Sequence, residues 1–138
     1  MTETKTKTKP ENYYYAYGRR KTAVATVRLF KGKENSQVNE MDFKKYFPLS
    51  SDQKVALEPL YTVEMVKDMY FTSMVKGGGK KAQRGAISLA IAKALVKMDS
   101  ALKDPLKKKS LMTRDDRMVE RKKTGRVKAR KSPQYSKR

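Results

Sequence analysis

The last third of the chain, residues 106–138, constrains most strongly what this sequence can fold into. Fourteen of these 33 residues are Lys or Arg and three are acidic, which gives the segment a net charge of +11. Apolar residues are scarce after Met112 and follow neither a helical nor an alternating period. Such a segment buries too little apolar surface to offset the entropy lost when it is ordered. We therefore expect residues 106–138 to be extended and irregular until a polyanion neutralises their charge.

The charge of the whole chain points to the same kind of partner. Its 138 residues carry a formal net charge of +20, and the pI is about 10.2. A field of this strength opposes a compact isolated state and favours a polyanionic partner, which is usually nucleic acid. An anionic membrane is the competing partner, but the basic segment lacks the segregated apolar face of a surface-binding helix. No apolar run approaches the roughly 18 residues that span a bilayer, so we expect no membrane partner.

Two missing residue types exclude several classes of chemistry. The chain contains neither Cys nor His, so no disulfide, thiolate nucleophile, His-ligated zinc or His general base is available. We expect no metal, no cofactor, no small-molecule substrate and no enzymatic activity. The length predicts one domain with extensions: a disordered basic lead-in over residues 1–12, a globular body over 13–105 and a tail over 106–138.

Residue periodicity assigns most of the body to short elements. Alternating apolar and β-branched residues predict strands over residues 22–30, 36–38, 60–66 and 69–76, the second being a return strand after a turn. Helical spacing of apolar residues predicts one long helix over residues 80–102. Capping residues and prolines predict two short helices over residues 41–46 and 52–57, the latter ending before Pro59.

The glycine run at residues 77–79 is compatible with three interpretations. The simplest is a flexible turn between strand and helix that lets two backbones pass closely. The second is a nucleic-acid phosphate contact, because glycines before a helix expose N–H groups, and Lys80 and Lys81 add charge. The third is a nucleotide-binding loop, but this requires Gly where Met74 stands and Ser or Thr where Lys81 stands. We discard the third interpretation, and the first two stay open.

A second basic motif, Gly18-Arg19-Arg20-Lys21, stands at the entrance of the first predicted strand. Arg offers bidentate contacts to phosphate and Gly permits close approach, but a solvated turn fits the motif alone equally well. Because the same chain carries a tail of charge +11, we favour the phosphate contact. Four tyrosines, at positions 13, 14, 15 and 17, come just before it. They are compatible with base stacking, although packing in a core or at an edge is the commoner fate of such residues.

Three acidic residues stand among the cations of the tail. Asp115, Asp116 and Glu120 are surrounded by Arg and Lys. We expect local salt bridges here rather than a metal site or an acid–base pair.

Four stretches together give the chain a family resemblance. They read GRRKTA at residues 18–23, VKGGGKKAQRGAISLAIAKAL at 75–95, TRDDRMVERKKTGRVKARK at 113–131 and SPQYSKR at 132–138. In this order and spacing, residues 13–138 resemble the family of small-subunit ribosomal protein S9 in its bacterial or organellar form. The resemblance implies an α+β fold with a small, mostly antiparallel sheet packed by helices and followed by a long extended basic tail. It further implies likeness to the second domain of ribosomal protein S5, with a left-handed βαβ unit.

The resemblance also implies a role and partners. The body is expected to bind small-subunit rRNA of the head, in the 3′ major domain, beside neighbouring small-subunit proteins. The tail is expected to become ordered on rRNA and to reach the anticodon stem-loop of the P-site tRNA, on cytoplasmic rather than organellar ribosomes. The alternatives are a free-standing, non-specific nucleic-acid-condensing protein and, from another class, a phosphate-transferring enzyme built on the glycine run.

The residues expected to contact RNA are the basic and glycine positions of these motifs. For rRNA they are Arg19, Arg20, Lys21, Gly77, Gly78, Gly79, Lys80, Lys81, Arg84, Arg114, Arg117, Arg121, Lys122, Lys123, Arg126, Lys128, Arg130 and Lys131. For tRNA they are Tyr135, Ser136, Lys137 and Arg138.

Overall fold

Three antiparallel strands form the main part of the sheet. The computed structural model describes residues 12–137. Strand β1 (Tyr14–Arg20) turns through Lys21 and Thr22 into β2 (Ala23–Lys31), and β2 pairs on its other side with β5 (Met69–Lys76). The predicted strands over residues 22–30 and 69–76 are therefore confirmed. The sequence did not predict β1, which lies at the sheet edge.

Two short strands extend the sheet beyond β5. Strand β3 (Gln37–Val38) pairs in parallel with β5, and β4 (Met41–Asp42) pairs antiparallel with β3, so the order is β1-β2-β5-β3-β4. The strand predicted over residues 36–38 is confirmed as β3, but it does not return along the preceding strand, because β1 and β5 occupy the two sides of β2. The outcome is a mixed sheet with a single parallel pairing in the described chain.

Four helices accompany the sheet. They are α1 (Phe43–Tyr46), α2 (Ser50–Thr62), α3 (Lys80–Met98) and α4 (Lys103–Lys108), with a 3-10 turn over Ser100–Leu102 between the last two. The long predicted helix is confirmed, but its last residues form the 3-10 turn. The α+β class predicted for the fold is confirmed as well.

Helix α2 overturns two expectations. It continues through Pro59, and residues 60–62 complete the helix where the sequence predicted a strand. Proline removes one backbone hydrogen bond from a helix. Here Ala56, Pro59 and Leu60 are all buried, and this apolar contact offsets the lost bond.

The core lies between the sheet and α3. Helix α3 packs across β1 and β2, α2 packs against α3, and every residue from 86 to 92 is buried. Helix α4 crosses the expected end of the body at residue 105, and Leu106 belongs to the same core, with Leu111 and Met112 packed against it. The core therefore includes residues that the sequence assigned to the tail. The division into lead-in, body and tail stays a prediction, and residues 1–11 of the lead-in lie outside the described residues.

Candidate nucleic-acid interface

The two basic motifs of the body meet at one end of the sheet. Gly77 and Gly78 have φ values of +75° and +63°, and they lie against the turn between β1 and β2. A Cβ at Gly77 would lie 2.6 Å from the carbonyl oxygen of Thr22, so only glycine fits there. The close passage of two backbones, one of the two interpretations left open, is thus present at Gly77 and Gly78. A Cβ at Gly79 would meet nothing within 4 Å.

Gln83 and Lys80, which follow the glycine run of residues 77–79, connect that run to Tyr46 of α1. The Gln83 amide donates to the carbonyl of Gly77 at 3.1 Å, and the Tyr46 hydroxyl donates to Gln83 Oε1 at 2.6 Å. The ammonium of Lys80 donates to the Tyr46 carbonyl at 2.9 Å and lies 3.3 Å from the centre of the Tyr46 ring. Lys80 is therefore anchored on the body by these two contacts, although it is exposed, as is the neighbouring Lys81.

Arg84 lies in a partly buried ion pair. Its guanidinium donates to Asp52 of α2, whose side chain is only 8% exposed, while that of Arg84 is 23% exposed. The Nε atom of Arg84 is buried and has no hydrogen-bond partner in residues 12–137. The contact joins α2 to α3, so Arg84 stabilises the body whatever its relation to RNA.

Arg20 ties the start of the tail to the body. Its side chain lies across Gly85 of α3, where a Cβ would come within 2.7 Å of Arg20 Cδ. The guanidinium then reaches Asp115 at 3.5 Å, and Arg117 pairs with the same carboxylate at 2.7 Å. Arg20, Gly85 and Asp115 line an open groove of about 180 Å³ between β1, α3 and residues 110–115.

Asp115 titrates well below the ordinary range. The side-chain hydrogen bond from Arg117 is the main cause of its lowered pKa, followed by the Arg117 backbone N–H, and Arg20 adds a coulombic contribution. The carboxylate therefore stays ionised at neutral pH, in the form that pairs with Arg117 and Arg20.

Three cations and one aromatic ring converge beside these ion pairs. Arg19, Arg114, Lys93 and Tyr17 line a cleft of about 340 Å³, and no acidic residue lines it. The ammonium of Lys93 lies 4.7 Å from the centre of the Tyr17 ring. Arg19 and Arg114 were predicted as RNA contacts from separate motifs, and the fold brings them together. Lys93 was not predicted, although the spacing of Lys93 and Lys97 places both on one face of α3.

The rest of the tail forms neither helix nor strand in its described part, residues 109–137. Glu120 pairs with Lys123 at 3.1 Å and with Arg130 at 2.9 Å, and hydrogen bonds from Arg130 and then Lys123 lower its pKa. The backbone N–H of Val127 donates to the carbonyl of Lys131 at 2.9 Å and closes a turn between these two residues. The predicted salt bridges of the tail are thus confirmed for Asp115 and Glu120.

The other tail positions predicted to contact rRNA are exposed. They are Arg121, Lys122, Arg126, Lys128 and Lys131. Arg126 also donates to the Ser132 hydroxyl at 3.3 Å. Near the tip, Ser136 and Lys137 are exposed and the Tyr135 side chain is 86% exposed, while Arg138 lies outside the described residues.

Sequence comparison decides the family. A sequence model for the family described as ribosomal protein S9/S16 matches residues 18–138. The chain belongs to the ribosomal protein S9/S16 family.

Relatives that match the chain in this family are small ribosomal subunit proteins uS9 by name. The protein of Chlorobaculum tepidum is 50% identical over 121 residues, which cover 88% of this chain and 94% of the relative. The protein of Chlorobaculum parvum is 48% identical with the same coverage, and that of Saccharopolyspora erythraea is 47% identical over 88% of this chain and 79% of its own length.

Membership in the S9/S16 family makes the chain a structural ribosomal protein and not an enzyme. The family match begins at Gly18 and runs to residue 138, so it covers the tail as well as most of the body. Two further findings concern residues 12–137. They contain no cluster of three or more potential metal ligands, and none of their helices has the length and apolar character needed to cross a membrane.

Proposed function

We propose that the chain is a structural constituent of the small ribosomal subunit that binds rRNA of the head. The observation that carries this proposal is the family match over residues 18–138, which spans the basic end of the sheet and the cationic tail alike. The relatives that are 47% and 50% identical to this chain are named as proteins of the small ribosomal subunit.

The proposed mechanism is electrostatic. Lys and Arg side chains displace the counterions condensed on RNA, and the released ions supply most of the binding free energy. Contacts of this kind read phosphate positions and RNA shape rather than base edges. The cleft between Arg19, Lys93 and Arg114 is a place where one or two phosphates fit, because it gathers three positive charges and is lined by no carboxylate.

We further propose that RNA orders the tail and replaces its internal ion pairs. Glu120 holds Arg130 and Lys123 in the free chain, and rRNA phosphates compete for the same cations. The tip, Tyr135 to Arg138, then lies at the anticodon stem-loop of the P-site tRNA. We also propose that the body contains a left-handed βαβ unit like that of the second domain of ribosomal protein S5. The chain then lies on a cytoplasmic ribosome beside neighbouring small-subunit proteins.

Sedimentation of tagged full-length chain in sucrose gradients at high salt tests the proposal. We expect the chain to stay with small subunits after washing. Release of the chain into the top fractions, together with equal affinity for DNA and RNA, would instead support a free-standing nucleic-acid-condensing protein.

A further inference from the structure

Within residues 12–137, one face of the sheet carries no helix. A Cβ at Gly18 would collide with the backbone of α3, so the Gly18 side of β1 faces that helix. Side chains alternate along a strand, so Tyr15, Tyr17 and Arg19 point to the opposite side. Residues paired in register share a face. Tyr15 of β1 pairs with Arg28 of β2. Tyr17 pairs with Thr26 of β2, and Thr26 pairs on its other side with Met74 of β5. We call this surface of β1, β2 and β5 the open face.

Large apolar and aromatic groups are exposed on the open face. Tyr15 is 45% exposed, Tyr17 is 52% exposed and Met74 is 62% exposed. Exposed apolar side chains grouped on one surface mark an interaction site more often than chance. At the end formed by Phe30 and Tyr70, the rings instead stack on each other at 5.1 Å and are buried. The accessible rings are therefore those of Tyr15 and Tyr17 on β1, together with that of Tyr13 just before it, which is 45% exposed and lies 5.6 Å from the Phe30 ring.

The charge of the open face selects an anionic partner. Arg19, Arg28 and Lys76 are exposed on it, and none of the outward residues of β1, β2 and β5 is acidic. The carboxylate of Glu34 lies beside Tyr70 at the buried end. Burial is the main cause of the raised pKa of Tyr70, and Glu34 adds to it. A protein partner with an ordinary mixed surface gains nothing from this one-sided charge, whereas RNA does.

Two lysines of α3 reach the tyrosines around the sheet edge. Lys93 lies 4.7 Å from the ring centre of Tyr17, and Lys97 lies 5.9 Å from that of Tyr15 and donates to the Tyr15 carbonyl at 2.6 Å. Each ring thus has an ammonium group beside it. A nucleotide has both components that such a pair binds, a base that stacks on an aromatic ring and a phosphate that pairs with a cation.

We propose that the open face binds unpaired bases of RNA, with Tyr15 and Tyr17 as the stacking platforms. The site deepens the proposed function, because it adds base stacking to the phosphate contacts of the tail. Successive outward residues of a strand are about 7 Å apart, so the two rings hold two separate bases. Arg19 and Lys93 then neutralise the phosphates that connect them.

The test measures binding of the full-length chain to single-stranded oligoadenylate and to an RNA duplex of the same length. In the variant Tyr15→Thr/Tyr17→Thr both rings are lost while residues that favour strands are kept. In Tyr15→Phe/Tyr17→Phe both rings are retained. The matched control is Tyr61→Thr, which removes an exposed tyrosine of α2 away from the open face.

Stacking on one aromatic side chain is worth at least about fivefold in affinity. We expect the double Thr variant to bind oligoadenylate about 25-fold more weakly at unchanged salt dependence, because no charge is removed. Binding to the duplex, and binding by the Phe and Tyr61 variants, should stay within about twofold. Full oligoadenylate affinity in the double Thr variant would overturn the proposal.

A crosslinking measurement keeps the proposal testable if the Thr variant does not fold. Ultraviolet crosslinking of the unchanged chain to oligoadenylate, followed by peptide mapping, should give adducts within residues 13–19. Adducts confined to residues 113–137 would contradict the open-face site. Neither assay uses ribosomes, so failure of this site is distinguishable from failure of the chain to sediment with small subunits.

Discussion

Gly18 of β1 lies so close to Ala86 of α3 that no side chain fits between them. A Cβ at Gly18 would collide with the Ala86 carbonyl and lie 2.7 Å from the backbone nitrogen of Ala90. The glycine of the GRRK motif therefore serves helix packing. Our interpretation that it allows close approach of phosphate finds no support in this geometry, because Gly18 is buried.

Gly18→Ala should destabilise the fold. Overpacking against backbone atoms costs about 1–3 kcal/mol, which corresponds to a fall in Tm of roughly 4–20 °C for a body of this size. Thermal unfolding followed by circular dichroism measures it. Gly79→Ala is the matched control, because a Cβ there meets nothing within 4 Å and φ is −94°. An equal loss of stability in both variants would contradict the packing role of Gly18.

Asp52→Ala should lower the free energy of unfolding by more than the loss of an exposed ion pair does. It leaves the guanidinium of Arg84 partly buried without its partner, and breaking a buried pair costs about 3–5 kcal/mol. Because Arg84 is 23% exposed, we expect the lower end of this range, about 3 kcal/mol. Urea unfolding measures the change.

The double variant Asp52→Leu/Arg84→Met checks the cause. Replacing both charges by apolar groups should restore part of the stability lost in Asp52→Ala. The exposed control, Glu120→Ala, removes a carboxylate that pairs with the tail cations Lys123 and Arg130, and it should leave the urea midpoint of the body unchanged. If Asp52→Ala behaved like that control, the pair would have no structural role, and Arg84 would be available to RNA.

The sequence predicted the strands and the helix that bury large apolar groups at regular spacing, and missed β1. The buried side of β1 carries Ala16 and Gly18, which are small because α3 presses against them. Small residues give almost no hydrophobic signal, and the visible signal of the segment came from tyrosines on the exposed side. A strand on which a helix packs closely needs small residues on its buried side, and such a strand is therefore hard to detect from hydrophobic periodicity.

The candidate interface was predicted residue by residue but not as a surface. Arg19 and Arg114 are 95 positions apart in the sequence, and only the fold places them on one cleft. Lys93 was missed because a lysine on a helix usually belongs to a solvated face. Its contact with Tyr17 depends on β1 being at the sheet edge, which residue periodicity does not reveal.

The ionised carboxylate of Asp115, which pairs with Arg117 and with Arg20 of the body, should resist protonation by acid. The pKa of Asp115 is lowered, mainly by the hydrogen bond from Arg117, so the charged pair is favoured above the ordinary pKa of about 3.9 and is lost only as pH falls through the lowered value. An NMR titration of the Asp115 carboxyl carbon measures this.

The variant Arg117→Gln serves as the control for that titration. It removes the first cause of the shift, so the pKa of Asp115 should rise toward its ordinary value. A wild-type chain in which Asp115 titrated near 3.9 would show that the Asp115–Arg117 pair is absent in solution.

Tail cations should dominate the salt dependence of RNA binding. If about ten of them displace counterions, log Kobs should fall with log salt at a slope near −7. Replacing Arg121, Lys122 and Lys123 by Gln should reduce the magnitude of this slope by about 2. The control replaces three exposed body lysines, Lys33, Lys54 and Lys67, by Gln and changes the net charge equally. A slope near zero for the unchanged chain, or equal effects of the two triple variants, would contradict a binding tail.

Deletion of residues 136–138 should separate assembly from tRNA binding. The body core ends near Met112, so the deletion leaves it intact, and reconstituted small subunits should contain the shortened chain in full amount. Two solvent-exposed ion pairs are worth about 0.2–1 kcal/mol each, so filter binding should show tRNA affinity at the peptidyl site reduced by about two- to thirtyfold. The control deletes residues 2–4, which lie before the family match. Equal tRNA affinity in both shortened chains would contradict a contact between the tip and the tRNA. The expected effect is modest because many other contacts hold the tRNA.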